Sequence, residues 1–563
     1  MADPRRNDDL LTTLAPWLRL LGQRQGRLLA GTALMALTLF SAVGLLALSG
    51  WFITASALTG LALAVGLAAS LDVYVPGGGI RFFAVTRTVS RYLERLYNHD
   101  TVLRLLADLR SRLFGVLAGL DERTLSRRRA SDWLHRLTAD IDTLDSLYLR
   151  LLAPPAVAVL AVLGLGGFLA LWSPAAGAAV IVLLGLALAW ITLGQARLGM
   201  AISHRQVADL ERLRGRLIEQ VQGLAELEAY ASLADHRRRL AAIEARIEDD
   251  QRRLGQRAAL GNALVGVALG MTLVAVLWLA ARAHDVGGLS GPLVVMMALA
   301  VLAMNEALAA LPMAFTRLGA TRAAAERLNR LEAARSPRLA AAGTLPPGPP
   351  AVSLEGVSLR YPGALAPALD RLDLALAPGE RLAICGVSGA GKSSVAALLS
   401  GRLEATAGRV CLAGIEIGAL SPDRLAERVA MLTQRVDLFD ASLAANLRIA
   451  APDAEEPRLR EALEAVELGE WAEALPRGLE TRVGEGGRQL SGGQARRLAL
   501  ARLWLRDPDL VILDELFAGL DAGTARRIAG RLDRWLVGRT VVYLVHQLGE
   551  GVDPPGIDRQ LTL

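Results

Sequence analysis

The residues with the clearest chemistry form an octapeptide, Gly386-Val-Ser388-Gly389-Ala390-Gly391-Lys392-Ser393. It fits G-x-x-x-x-G-K-[ST], a loop whose backbone N–H groups and following helix N-terminus meet phosphate oxygens. Lys392 is the only lysine among the 62 basic residues of the chain; all the others are arginine. Arginine's planar fork would crowd the β/γ-phosphates, whereas lysine brings a compact ammonium on a flexible stem. Ser393 would offer its hydroxyl to Mg²⁺, with Ser394 opening the helix behind the loop. Further on, Leu510-Val-Ile-Leu-Asp514-Glu515 reads as an apolar strand ending in two carboxylates. Asp514 suits the Mg²⁺ shell, and Glu515 suits a general base for an attacking water.

These groups need a scaffold, and the sequence around them supplies an α/β one. Short apolar strands at 381–385, 510–513 and 540–545 alternate with helices from residue 351 to the end at 563. Residues 336–350, closing on Thr344-Leu-Pro-Pro-Gly-Pro-Pro350, read as a linker. An amphipathic helix over 322–335 should stop before Ser336-Pro337. Cys385 and Cys411, the two cysteines, are expected as free thiols.

The first 335 residues are different. The chain is 53% hydrophobic and 21% charged, with mean hydropathy +0.35, and the two kinds of residue are segregated. Arginine is absent from 28–80, 151–196, 258–281 and 283–316. A bilayer-spanning helix needs about 20 mostly apolar residues. The second stretch therefore holds two spans broken at Ser173-Pro174, the third and fourth hold one each, and the first holds one near 28–52. A further span lies either at 58–74 or from Val75 into the arginine-rich helix beyond; the latter is favoured, giving six. Residues 197–257 carry twelve arginines, while the connections near 173 and 284–291 carry none. The positive-inside rule then puts the N-terminus and the arginine-rich connections in the cytoplasm. Residues 101–150 and 197–257 read as long cytoplasmic helical extensions. The start, Met-Ala-Asp-Pro-Arg-Arg, lacks the apolar core of a signal peptide. The pI near 9.8 follows from charge in cytoplasmic loops and not from nucleic-acid binding.

Between the two phosphate-site motifs stands Leu490-Ser491-Gly492-Gly493-Gln494, which resembles the signature of ATP-binding cassette (ABC) proteins. That resemblance implies roles for other residues. Tyr361 matches the aromatic stacked on adenine, Gln434 the glutamine sensing Mg²⁺, Asp521 the D-loop aspartate, and His546 the switch histidine at the γ-phosphate. Thr481-Arg-Val-Gly-Glu485-Gly-Gly resembles the exporter loop that touches coupling helices, and Tyr230 to Arg239 lies where exporters place one. Leu516-Phe517 stands where the family usually has Pro-Thr, yet both carboxylates remain and hydrolysis is expected to survive. Two cassettes sandwich two ATPs in this family, so one cassette with six spans is half a transporter.

The membrane half narrows the likeness. Ser49-Gly-Trp-Phe-Ile-Thr-Ala-Ser-Ala-Leu58 and Arg87-Thr-Val-Ser-Arg-Tyr-Leu-Glu-Arg-Leu-Tyr-Asn-His-Asp100 resemble the CydC subunits of bacterial CydDC exporters. This implies a heterodimer with a CydD-like half-transporter in the bacterial inner membrane. It also implies export of cysteine and glutathione in support of cytochrome bd assembly. The alternatives are haem transport, or a haem-regulated ATPase without thiol flux, with haem b as a further cofactor. Arg87, Arg91, Arg95 and His99 recur every four residues and share one helix face, drifting about 40° per step. Such a stripe suits a carboxylate-bearing substrate or haem propionates with His99 as axial ligand; it equally suits arginines anchoring the helix at the membrane boundary. Glu306, beside Asn305 in the last apolar span, is a separate intramembrane candidate. The remaining histidines, His135, His204, His236 and His284, show no metal-ligand spacing.

Overall fold

The computed structural model describes residues 10–120, 124–125, 133–134, 136–334, 343–361, 363–484, 489–549 and 551–563. The expected helix end at Ser336-Pro337, the first part of the linker, His135, and Glu485-Gly-Gly of the exporter-type loop lie outside them. The chain divides into two compact units, one up to Ala334 and one from Gly343 onward.

The first unit is helical. Five helices among the described residues are long and apolar enough to cross a bilayer: Gln25–Ala64, Arg136–Ala170, Pro174–Gln222, Leu233–Asp285 and Gly291–Thr316. The break at 173–174 appears as expected. Ser173 caps the next helix by accepting from Ala176 N, and Pro174 takes the first turn, where no N–H is needed. Of the two candidates for a further span, 58–74 is no separate helix: Gln25–Ala64 covers its first part, and 65–73 is non-helical. The next helix is Tyr74–Ala118. It is not among the five apolar ones, since Arg81, Arg87, Arg91 and Arg95 interrupt its hydropathy.

Tyr74–Ala118 runs antiparallel to Gln25–Ala64. Thr38 Oγ1 donates to Ser90 Oγ at 3.0 Å, and Gly44 and Gly79 lie against the side chains of Phe83 and Leu48, which would have to shift to admit a Cβ. Small residues of this kind let membrane helices approach closely. A core of Leu165, Leu169, Val180, Leu184, Val276, Met297 and Leu308 joins four of the apolar helices. Long helices continue beyond them, and Gly199 packs on the backbone of Thr316. A buried ion pair of Arg327 with Asp140 ties the extensions together. At the proposed coupling segment the chain reverses. The helix Leu224–Ala229 ends, Ala231 adopts φ 49, Tyr230 is exposed, and the next helix starts at Leu233.

The second unit carries two sheets. The antiparallel one has order β2-β1-β4-β5, with β1 Val352–Leu359, β2 Leu369–Leu376, β4 Ala407–Leu412 and β5 Ile415–Glu416. The parallel one has order β6-β7-β8-β3-β9, with β6 Val429–Leu432, β7 Leu510–Asp514, β8 Thr540–Val545, β3 Arg381–Cys385 and β9 Arg559–Thr562. Both β3 and β7 are buried along their whole length, which explains the apolar runs Leu382–Cys385 and Leu510–Leu513 within them.

Candidate functional site: an ATP site at the strand ends

The parallel sheet delivers its chemistry at one edge. Register pairs Cys385 with Val545, Asp514 with Leu544 and Leu432 with Leu513, so four strands end side by side. The next residues outward are Gly386, Glu515 and His546, with Gln434 two beyond β6. Ligands of open α/β sheets bind beyond these carboxyl ends.

Gly391 joins loop to helix at φ 98, and a Cβ there would sit 2.6 Å from the Ala368 carbonyl, so only glycine fits. Lys392 starts the helix Lys392–Leu399 and is buried; its Nζ donates to the carbonyls of Gly386 at 2.5 Å and Val387 at 3.1 Å. Ser393 Oγ donates to Asp514 Oδ2 at 3.3 Å. Burial pushes the Asp514 carboxyl up, and the neighbouring Glu515 charge adds to it. Tyr361 OH lies 3.2 Å from Ser394 Oγ. Glu515 Oε1 collects two partners: Gln434 Nε2 donates to it at 3.1 Å, and His546 Nε2 stands 2.9 Å away.

The signature forms a separate small structure. Ser491 caps the helix Gly492–Arg506 by accepting from Gln494 N at 3.2 Å, while Gln494 Oε1 accepts from Ser491 N at 2.9 Å. Ser491 and Gly492 are exposed, and a Cβ on Gly493 would meet the Gly519 carbonyl at 2.8 Å. Asp521 caps the helix Ala522–Trp535 through Thr524 N at 2.9 Å, a bond that holds its carboxyl below the usual range.

The family profile described as "ABC transporter" matches residues 369–518, and that described as "ABC transporter transmembrane region" matches residues 29–308. The chain is 35% identical over 546 residues to the glutathione/L-cysteine transport system ATP-binding/permease protein CydC of Escherichia coli (strain K12), covering 96% of this chain and 93% of that one. The chain belongs to the ABC transporters, as a subunit of the CydC type. A CydD of the same transport system from Bacillus subtilis (strain 168) is 30% identical over 91% of this chain and 88% of its own. A solved bacterial Atm1-family ABC exporter with ATP bound shares the fold, with TM-score 0.81 at 20% identity over 96% of this chain and 94% of that one. The chain is thus an ATP-hydrolysing membrane transporter subunit, an ABC exporter transmembrane domain fused to an α/β cassette.

In the helical unit the structure joins two candidates that the sequence kept apart. Arg87 Nη2 donates to Glu306 Oε2 at 2.8 Å, and Arg91 pairs with Glu306 Oε1. Arg87 Nε is buried there without an acceptor. Arg95 and His99 continue along the same helix on exposed positions, outside this cluster. The last apolar helix is interrupted at Met304, so Asn305 and Glu306 open a fresh turn.

The other histidines have local partners: His204 stands 3.2 Å from Glu326, His236 bonds the Ser232 carbonyl and His284 that of Leu289. Among the described residues no group of three His, Cys, Asp or Glu side chains is placed to hold a metal. Cys385 and Cys411 are free. One residue of the site escaped the sequence reading: Arg496, a buried cation on the signature helix. Its only sequence signal is a charge at a position where the helix faces the core.

Proposed function

We propose that the chain is one half of a heterodimeric exporter that moves low-molecular-weight thiols, cysteine and glutathione, from cytoplasm to periplasm, in support of cytochrome bd assembly. Residues 1–335 act as transmembrane domain, 336–350 as linker and 351–563 as nucleotide-binding domain, with N-terminus and cassette in the cytoplasm of a bacterial inner membrane. A CydD-like half-transporter is its partner, and no nucleic acid is involved. The names of the full-length relatives support the cargo class. The observation that carries it within this chain is the Arg87–Glu306–Arg91 cluster among apolar helices. Both thiols bear carboxylates, which arginines bind in charge-assisted, bidentate fashion. Glu306 occupies the arginines until a substrate carboxylate replaces it, and the idle Nε of Arg87 is a spare donor for that exchange.

On the cassette, Gly386, Ser388, Gly389, Ala390, Gly391, Lys392, Ser393 and Ser394 take the ATP phosphates, with Tyr361 against the base. Ser491, Gly492, Gly493, Gln494 and Asp521 face the nucleotide of the partner cassette. The Ser393 hydroxyl beside the Asp514 carboxylate, with Gln434 close to Glu515, is an oxygen-rich donor set that fits Mg²⁺. When bound, the ion would neutralise charge on the phosphates. Glu515 orients and deprotonates the attacking water, and Gln434 and His546 hold its carboxylate in place.

A second reading rests on the shared face of Arg95 and His99. Haem b, as cargo or as regulator of the ATPase, would be held by the His99 imidazole at its iron and by the Arg95 guanidinium at a propionate. The deciding experiment is ATP-dependent uptake of labelled glutathione and cysteine into inside-out vesicles holding both half-transporters, with Glu515→Gln as control. Uptake lost in that variant supports thiol export. ATP hydrolysis without uptake removes the thiol reading, and a haem spectrum lost in His99→Ala then favours the second.

A further inference from the structure

Arg496 lies two positions beyond Gln494 on the helix Gly492–Arg506 and is 6% exposed. Its guanidinium donates to three backbone carbonyls from two separate segments. Nη1 reaches Gln434 at 3.1 Å, Nε reaches Leu516 at 3.3 Å, and Nη2 reaches Asp514. Those carbonyls bracket the chemistry, since one belongs to Gln434 itself and the other two lie on either side of Glu515. Carbonyls satisfy the N–H groups but leave the positive charge buried, which is expensive unless something offsets it. Here the charges of Glu515 and Asp514 act on it, against the burial that pushes the guanidinium down. Arg502, on the same helix, differs. Its fork goes to the carbonyls of Asn446 and Asp437 and to Asn446 Oδ1, away from the two carboxylates.

The loop that Arg496 grips needs holding. Glu515 adopts φ 50, a left-handed conformation costing about 1–2 kcal/mol for a residue with a Cβ. A proline at 516 would fix its own φ through its ring; Leu516 does not. The Leu516 carbonyl is instead tied to Arg496, and the Glu515 N–H to the Leu544 carbonyl at 3.0 Å.

We propose that Arg496 is a positioning residue for ATP hydrolysis, whose three-pronged grip locks Gln434 and Glu515 into one unit. The proposal rests on Glu515 acting as the base, so Glu515→Gln is measured alongside.

The test is steady-state ATPase of the full transporter with Arg496→Gln and Arg496→Lys, read as kcat and KM for ATP separately. Lysine keeps the charge and loses the fork. Both variants should lose about 10²-fold in kcat, the usual effect of a small misplacement of a catalytic group, while KM for ATP stays within about threefold. Full activity in Arg496→Lys would overturn the proposal. So would loss of ATP-analogue binding or of the unfolding transition in both variants, which would make Arg496 a fold residue. If Glu515→Gln itself keeps turning over, the base assignment falls, whatever Arg496 does.

Discussion

His546 Nε2 lies 2.9 Å from Glu515 Oε1, and the same oxygen accepts from Gln434 Nε2 at 3.1 Å. Residues 434, 515 and 546 follow three adjacent parallel strands, so the contact exists only because β6, β7 and β8 are neighbours. A carboxylate fixed from two sides has little freedom to swing away from a water. Glu515→Gln should keep ATP binding and lower kcat by about 10²–10⁴-fold, the range for loss of a general base. Single-turnover hydrolysis with nucleotide binding measured separately checks this; a variant within tenfold of the parent would remove Glu515 from that role.

Asp514 should destabilise the nucleotide-free cassette. Its pKa in the fold is raised above 3.8, chiefly by burial. The folded state therefore binds more protons than the unfolded one between the two values, and stability falls as pH rises through that window. Asp514→Asn should melt at a higher temperature than the parent at neutral pH, the gap narrowing as pH falls towards 4, while ATPase activity is lost. Thermal unfolding at several pH values decides it; an equal or lower melting temperature at pH 7 contradicts the account.

The Arg87–Glu306–Arg91 cluster gives a transport prediction of opposite signs. Glu306→Gln removes the internal competitor, so the apparent KM for glutathione should fall. Arg91→Ala removes a donor pair, so it should rise by about tenfold or more, as expected for a lost charge-assisted bond. Vesicle uptake curves separate the two. A rise in both variants would mean that the cluster only holds the helices together.

Gly199 packs where a Cβ would run into the Thr316 backbone. Gly199→Val should cost about 1–3 kcal/mol by overpacking and lower the melting temperature of the solubilised protein. Gly185→Val, with nothing within 4 Å of its added Cβ, is the control and should be close to neutral.

The sequence alone determined the phosphate loop, the paired carboxylates, the signature and the apolar spans. Each is written in contiguous residues, because backbone geometry over a few positions, or hydropathy over about 20, is a local property. It also pointed to Tyr74–Ala118 as the helix after the first span, although arginines hide it from a hydropathy count. Only the tertiary structure decided which separated residues meet. Glu306 and the Arg87 stripe are 219 residues apart and looked like two unrelated candidates until helix packing joined them. The sequence gives Arg496 only a helix face shared with Leu500 and Leu503; what its charge grips on that face is not a local property. Its role follows from the strand order that brings Gln434, Asp514 and Leu516 around one guanidinium. Long-range contacts of this kind come from packing, which no single stretch of sequence encodes.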